Sequence, residues 1–514
     1  MTQARSEPRE PAVQRPSSRG RSSSGRFGAA PLLAIAAFVT TLAVQLILLI
    51  SSPANVGLMI VVLALGTALV FAGLGSPTLA VALFLVAAFL RLALPQAGLP
   101  FDPFVLAFAG VILAAGVAIA RRVNQLPRLG AVEAVMVLYL TWNIVSALAP
   151  HRYPASVPDT GEDFAVWRFL LTGALLPFAL YVVGRFVFDR DSSVRRLLWI
   201  VLALAAYSAV VSVAQFFGPA ALVWPRYIVD GADWPGRAAG VFDQPVQNGL
   251  LLVLGFVIAL LLAGQVSEPR WRRVAAGAVA VAAIPAIYLT HTRVVWLVFG
   301  LVLVAGSLWA RNFRTGFVAT LVAVCLAIGV GWSTFTSDDR TRGGIGSVSE
   351  VDSRLNIIAT SLWAIGEKPI AGWGVGRFNQ LNTYHHKQWS PGIDWKLGYG
   401  LSSHHNELGI AAELGLVGLV LWLTILALVL WRLVKAVRRL PSDGIRSHGL
   451  AVVALLAFLS WLVVGATVEL RFFEFSNGLV WLLAGIAVGC AERAHPAERA
   501  PPAERTQPVE QVRG

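Results

Sequence analysis

The sequence predicts an all-α, polytopic integral membrane protein: a helical bundle of about fourteen transmembrane helices, and roughly twelve at the least. Three observations predict it. The chain of 514 residues is 56% hydrophobic with a mean hydropathy of +0.69, well beyond the apolar share of soluble domains. Apolar runs of about 17–22 residues, long enough to cross a hydrocarbon layer as helices, follow one another along most of it. Basic residues gather in alternate links between those runs, the pattern that sets membrane orientation. The net charge of +13 is accordingly topological, with attraction to membrane lipids as a second role and no nucleic-acid partner.

Taken in order, residues 1–28 are rich in Arg, Ser, Pro and Glu without apolar periodicity, and read as a disordered cytoplasmic tail. The apolar run that follows is too long for a secretory signal and lacks its cleavage pattern. Residues 29–332 hold the N-terminal spans, at 31–50, 56–74, 77–94, 102–120, 130–149, 165–186, 196–217, 246–264, 273–290, 294–310 and 315–332. The span at 77–94 is the weakest of these, since Arg91 interrupts it and Pro95 follows. Residues 333–404 form one large hydrophilic segment, residues 405–490 hold spans at 406–431, 449–468 and 472–490, and residues 491–514 form a second disordered tail. Cys325 and Cys490 fall inside apolar runs and read as packing residues without a disulfide.

With the first tail inside, one parity satisfies every basic cluster. Arg121, Arg122 and Arg128 fall inside, as do Arg185 to Arg196, Arg270 to Arg273, Arg311 and Arg314, and Arg432 to Arg439. Both termini are then cytoplasmic, and 333–404 is extracytoplasmic. Within that segment Leu355, Ile358, Leu362 and Ile365 define one apolar face of a short amphipathic helix. Ser349 and Asp352 supply a capping-box pattern, and Pro369 ends the helix. Such a helix lies on the membrane surface or caps the bundle.

Chemistry concentrates on the outer side. Arg237 lies in Gly236-Arg237-Ala-Ala-Gly240-Val-Phe242 before a span, and Arg293 follows Thr-His291-Thr in a tight turn. Arginines on the outer face are out of place as orientation signals, and two of them can clamp a phosphate or diphosphate. The alternative is that both snorkel to lipid headgroups. Gly372-Trp-Gly374-Val-Gly376 resembles a nucleotide loop but lacks its strand and Gly-Lys-Ser/Thr context, and reads as a turn. His385-His386 and His404-His405 lack metal-ligand spacing, so no metal site is expected. A single histidine can instead act as general base, its ordinary pKa lying near operating pH. Tyr384, Trp389, Trp395 and Tyr399 suit either an interfacial belt or stacking on sugars.

In combination these pieces resemble the O-antigen ligase and O-antigen polymerase superfamily of bacterial membrane glycosyltransferases, over residues 165–490. The carrying motifs are Gly236-Arg237-x-x-Gly240-x-Phe242 and Thr292-Arg293-x-x-Trp296. With them go Ser353-Arg354 with Pro369-Ile-Ala-Gly372-Trp-Gly374, and His405-Asn406 with Glu413-Leu-Gly415-Leu-Val-Gly418. The resemblance implies transfer of a glycan, without metal or other cofactor, from an undecaprenyl-diphosphate carrier to a lipid or saccharide acceptor. The reaction would take place outside the cytoplasmic membrane. It implies that Arg237 and Arg293, with Arg354 as a third candidate, hold the diphosphate, and that a histidine activates the acceptor. The family spacing of nine residues between the His pair and Gly-x-x-Gly counts back to His404, whereas an orienting Asn406 points to His405. A polymerase of lipid-linked repeat units shares the same parts. A transporter or flippase would place its charges near the midplane, where this sequence has few.

Overall fold

The computed structural model describes residues 76–93, 102–121, 129–156, 164–231, 233–339, 343–346 and 348–494. The expected spans at 31–50 and 56–74 and the expected N-terminal tail lie outside them. The regular secondary structure of the described residues is helical, without a β-strand. Nine of their helices are long and apolar enough to cross a membrane, and three shorter apolar helices accompany them.

In order, α1 is Pro77–Phe89, α2 Pro103–Ala120, α3 Ala131–Leu148, α4 Val166–Val187, α5 Asp191–Phe217, α6 Pro245–Gly264 and α7 Arg270–Leu289. After these come α8 Arg293–Trp309, α9 Arg314–Val330, α10 Ser349–Glu367, α11 Phe378–Tyr384, α12 Asn406–Arg439, α13 His448–Gly465 and α14 Glu474–Ala494. Each apolar helix coincides with an expected span. α1 stops at Phe89, ahead of Arg91, which pairs with Asp102 at 2.6 Å and Glu474 at 2.9 Å. The charge that interrupts the run thereby fastens the ends of α1, α2 and α14.

α14 is the axis of the bundle. It packs along α4 through small residues: a Cβ on Gly485 would stand 2.1 Å from the Tyr181 carbonyl, and one on Gly489 2.3 Å from the Arg185 carbonyl. In a membrane, where lipid is as apolar as leucine, such close approach is what drives association. Trp422, Trp461 and Trp481 join α12, α13 and α14 in a core of fully buried rings. Leu297, Leu301 and Leu308 on α8 and Val322 and Leu326 on α9 are exposed, as lipid-facing positions are. Cys490 is buried, but Cys325 is exposed on α9 rather than packed as expected.

α12 is broken at Gly415, whose φ of 69° and ψ of −174° are open essentially to glycine alone. A break would strand backbone carbonyls, which are costly to leave unpaired away from water. The Gly-rich turn supplies their donors: Trp373 N–H bonds the Ala412 carbonyl at 2.9 Å and Gly374 N–H bonds that of Glu413 at 2.8 Å. Trp142 Nε1 donates to the Leu414 carbonyl at 2.9 Å, and Leu416 N–H finds the Pro369 carbonyl at 2.7 Å. The segment 372–376 is a turn, as expected, and its role is to plug the broken helix.

α10 packs on α12, but not by the face its periodicity suggests. Asn356, Ile357, Thr360, Ser361 and Ala364 are buried, while Leu362 is exposed and Leu355, Ile358 and Ile365 are half-buried. The buried polar groups explain the choice. Asn356 Nδ2 donates to the carbonyls of Asp394 and Leu397, both at 3.0 Å, and its Oδ1 accepts from Trp389 N–H at 2.8 Å. α10 thus anchors the following loop. Ser349 is its first residue and makes no side-chain cap, so the expected capping box is not formed.

Candidate active site

Arg237 is set by the loop leading into α6. Gly240, with φ of 61°, lies against Asn248 so closely that a Cβ would stand 2.4 Å from its Oδ1. Asn248 in turn donates to the Ala238 carbonyl at 2.9 Å and to Ser212 Oγ at 3.0 Å, and accepts from Ser208. The glycines and the asparagine of this stretch therefore form a clamp that fixes the backbone beside Arg237. Its guanidinium is buried at 9% exposure, donates to Thr292 Oγ1 at 2.6 Å and the Thr290 carbonyl at 3.3 Å, and stacks over Trp234 at 5.0 Å.

Those contacts brace Arg237 on the turn that ends in Arg293. His291 Nδ1 bonds the Gly236 carbonyl at 2.6 Å, tying the two loops again. Arg293 is the first residue of α8, where the helix dipole opposes a cation by about 0.3–1 kcal/mol. That placement suits binding an anion better than it suits the helix.

Arg354, half-buried on the first turns of α10, completes the group. Burial holds Arg237 down at about 10, and the like charge of Arg354 adds to the effect. Arg354 is lowered by burial and by Arg293. The like charges thus act in sequence, Arg354 on Arg237 and Arg293 on Arg354. No carboxylate among the described residues pairs with Arg237 or Arg354. An arriving dianion would relieve that repulsion.

The histidines differ in their bonds. His405 is the N-cap of α12, and its Nδ1 stands 3.4 Å from the Leu408 N–H and 3.5 Å from a Glu407 carboxylate oxygen. As the cap, accepting the Leu408 N–H, Nδ1 leaves the proton on Nε2; donating to Glu407, it carries the proton itself. His404 has Nδ1 at 3.0 Å from the Ser402 carbonyl and at 3.0 Å from the Ser402 hydroxyl, which can accept as the carbonyl does. A carbonyl only accepts, so Nδ1 carries the proton and Nε2 keeps its lone pair. His404 is lowered below its ordinary value by burial first, and by Arg354; Glu469 acts the other way. It therefore belongs to the same neighbourhood as the arginines and stays neutral near pH 7. His404, His291 and Asp243 are the non-glycine residues of the described chain with left-handed φ, at 49°, 42° and 48°. All lie on loops that carry this site, where backbone strain concentrates.

Beneath the His pair lies a buried ion set that sequence reasoning missed. Arg471 Nε and Nη2 grip Glu469 at 2.7 and 2.8 Å, and Nη1 bonds Glu413 at 2.7 Å. Ser403 Oγ donates to Glu469 at 2.7 Å, and Phe378 N–H to Glu413 at 3.0 Å. A π-turn in α4 at Leu171–Leu175 makes room: Thr172 Oγ1 donates to the Arg471 carbonyl at 2.6 Å, and Gly173 lies against its side chain. The available signal was Glu469-Leu-Arg471, an acid and a base two residues apart between two apolar spans.

His385 and His386 do not join this group. His385 stacks on Trp363 at 4.6 Å and bonds Tyr153 at 2.5 Å, and His386 bonds Asn382 at 2.7 Å. Among the described residues no group of His, Cys, Asp and Glu could hold a metal ion.

Residues 278–423 match the family model described as O-antigen ligase. The match begins in α7 and ends in α12, so it takes in Arg293, Arg354, His404 and His405; Arg237 and the Glu469–Arg471 pair lie outside it. No curated protein matches the chain. The match bears out the resemblance to the O-antigen ligase and polymerase superfamily.

Proposed function

We propose that this multi-pass protein of the O-antigen ligase superfamily transfers a glycan from an undecaprenyl-diphosphate carrier to an acceptor hydroxyl at the outer face of the cytoplasmic membrane. The family implies lipid-linked glycan and acceptor partners in general. The observation that carries the finer reading is the meeting of Arg237, Arg293 and Arg354 with His404 in one electrostatic neighbourhood.

The chemistry follows from that meeting. The acceptor oxygen attacks the anomeric carbon, and the bond from that carbon to the diphosphate oxygen breaks, its electron pair passing to the diphosphate. The guanidinium groups offset the charge developing there, the interaction that strengthens most in the transition state. The acceptor proton passes to Nε2 of His404. Ser403, Glu469 and Arg471 hold the loop that presents it.

A polymerase of repeat units would use the same groups, with a lipid-linked glycan as acceptor. A transporter is disfavoured by the break in α12. Transporters leave such backbone open for substrate, whereas here Trp373, Gly374 and Trp142 already occupy its carbonyls. The test is transfer by the purified full-length protein in liposomes holding a lipid-linked glycan and acceptor. Arg293→Ala and His404→Ala are expected to abolish transfer while inserting normally. Wild-type rates in both would overturn the roles given to these residues, no transfer by the unaltered protein would overturn the reading, and glycan movement across acceptor-free liposomes would indicate a transporter.

A further inference from the structure

The loop that runs into His404 carries two exposed rings that the transfer chemistry does not use. Trp395 and Tyr399 keep 47% and 42% exposure. Their centroids are 5.0 Å apart and their planes 39° apart, so they form one shallow aromatic face. The face is fixed from below. Buried His386 stands nearly perpendicular to both rings, at 5.1 and 5.7 Å. Asn356 holds the carbonyls of Asp394 and Leu397, and Asn382, fully buried, donates to those of Gly398 at 2.7 Å and Leu401 at 3.0 Å. Gly398, with φ of 81°, lies against α10, where a Cβ would stand 2.6 Å from the Ser353 carbonyl. Four carbonyls of one loop are thus tied to two buried amides. The loop buries its smaller Ile393 and leaves the two larger rings out. Anchoring at a membrane interface needs no such fixed geometry, whereas a preorganised face lowers the cost of binding.

The surroundings define the occupant. Trp395 lies between Asp394 and Lys396, both exposed and of opposite sign. The patch is therefore neutral as a whole, and an anionic headgroup would meet the Asp394 carboxylate. A prenyl or acyl chain laid on the rings would strip water from both charges, at a cost it cannot repay. What fits is a flat, uncharged body with C–H groups on its faces and hydrogen-bonding groups at its rim. The weakly positive C–H groups suit the negative faces of the rings. Rim hydroxyls, which both donate and accept, suit a carboxylate and an ammonium alike. A neutral pyranose has that form. The face also adjoins the candidate active site. Gly398 abuts Ser353, the neighbour of Arg354. Leu401, held by Asn382, precedes Ser402, whose carbonyl and hydroxyl face His404 Nδ1.

We propose that the Trp395–Tyr399 pair is an acceptor subsite, on which a neutral pyranose of the acceptor stacks by its C–H face. The proposal rests on the glycan-transfer reading for its substrate class. The sugar is the acceptor's because the pair belongs to the loop of His404, the group that takes the acceptor proton, whereas the arginines hold the carrier. Two residues that the sequence left between an interfacial belt and a sugar contact thereby acquire a role in choosing the acceptor.

The test uses the full-length protein in phosphatidylcholine nanodiscs with methyl β-glucoside and, in parallel, its uronic-acid counterpart methyl β-glucuronide, read by saturation-transfer NMR. The ring C–H protons of the glucoside should receive saturation, and the glucuronide should receive no more. Trp395→Ala with Tyr399→Ala should remove most of the signal, and Trp395→Phe with Tyr399→Phe, which keeps both rings, should restore it. Because the rings are exposed, both double variants should melt with the wild type. No signal in the wild type, an equal signal in the double alanine variant, or a preference for the glucuronide would overturn the proposal. The equal signal would leave the rings as interfacial anchors. In the transfer assay the double alanine variant should raise KM for the acceptor about tenfold, with kcat and the KM for the donor little changed. A rise in the donor KM instead, or no change in either, would overturn the acceptor subsite. The two readings fail separately: if the unaltered protein transfers nothing, the transfer reading falls, while a ring-dependent sugar signal would still stand.

Discussion

The choice between His404 and His405 turns on hydrogen bonds that no sequence spacing encodes. The motif count favoured the first and the adjacent Asn406 the second, and the partners of the ring nitrogens support the first. With His405 Nδ1 taken up by the helix cap or by Glu407 and His404 keeping Nε2 open, the two substitutions should differ in kind. His404→Ala should lower kcat by about a hundredfold or more, the usual share of a general base. His405→Asn, which preserves a capping side chain, should retain most of the activity, and His405→Ala should cost about 1 kcal/mol of stability. Loss of kcat in His405→Asn with full activity in His404→Ala would reverse the assignment. The pH profile gives a second check. His404 is lowered by burial, so the active neutral form prevails down to a pH below its ordinary value of about 6.5. Activity should therefore fall with pH only on an acid limb lying under that value. The folded pKa being the lower one, the stability contributed by the neutral ring is present above the unfolded value and lost as pH falls through the folded one. Glu469 favours the charged imidazole, so Glu469→Gln should move the acid limb lower still. A limb at or above the ordinary value, or one that moves up in the variant, contradicts this.

At the scale of elements, periodicity marked the spans well, because a helix in lipid must be apolar over its whole length. It misjudged α10, because there the buried face is chosen by polar anchors. Asn356 and Thr360 bind the backbone of 387–397, and the apolar stripe is left half-buried, with Leu362 exposed. The break in α12 was legible only as a pair of glycines, since its partner turn lies more than thirty residues earlier in the chain. The structure makes these two features a single unit. A Cβ on Gly415 would stand 2.1 Å from the Ile370 carbonyl, and one on Gly372 would stand 2.4 Å from the Glu413 carbonyl. Gly415→Ala should then cost at least about 1–3 kcal/mol from backbone strain alone. Gly372→Ala should do likewise, and the double variant should cost less than the sum, because either one already separates the turn from the helix. Thermal unfolding of the detergent-solubilised protein measures all of them. Full additivity would mean that the turn and the break are independent.

At the scale of the molecule, the alternation of basic clusters carried the helical layout, but it read every inner arginine as an orientation signal. Several are also internal ties. Arg185 pairs with Glu133 and, at 2.7 Å, with Glu492, and Arg432 reaches Glu133 at 3.3 Å, so α3, α4, α12 and α14 are cross-linked at one end. Arg471 does the same at the other end. Removing one member of a buried ion set leaves the rest uncompensated, at about 3–5 kcal/mol. Arg471→Met should therefore lose both transfer and thermal stability, whereas Arg293→Ala should lose transfer alone. Equal destabilisation by both would turn the arginine group into a structural feature. Which side of the membrane the site faces rests on the parity of those same clusters. The segment 333–404 and the link after α12 must then lie on opposite sides, because α12 crosses between them. With Cys325 replaced by Ser and Cys490 buried, a cysteine introduced at the exposed Trp389 should react with a membrane-impermeant thiol reagent in spheroplasts. One at the exposed Asp443 should react only after the membrane is opened. The reverse pattern would put the arginines and His404 in the cytoplasm, and with them the whole reaction. Reaction at both positions in intact spheroplasts would mean that α12 does not cross at all.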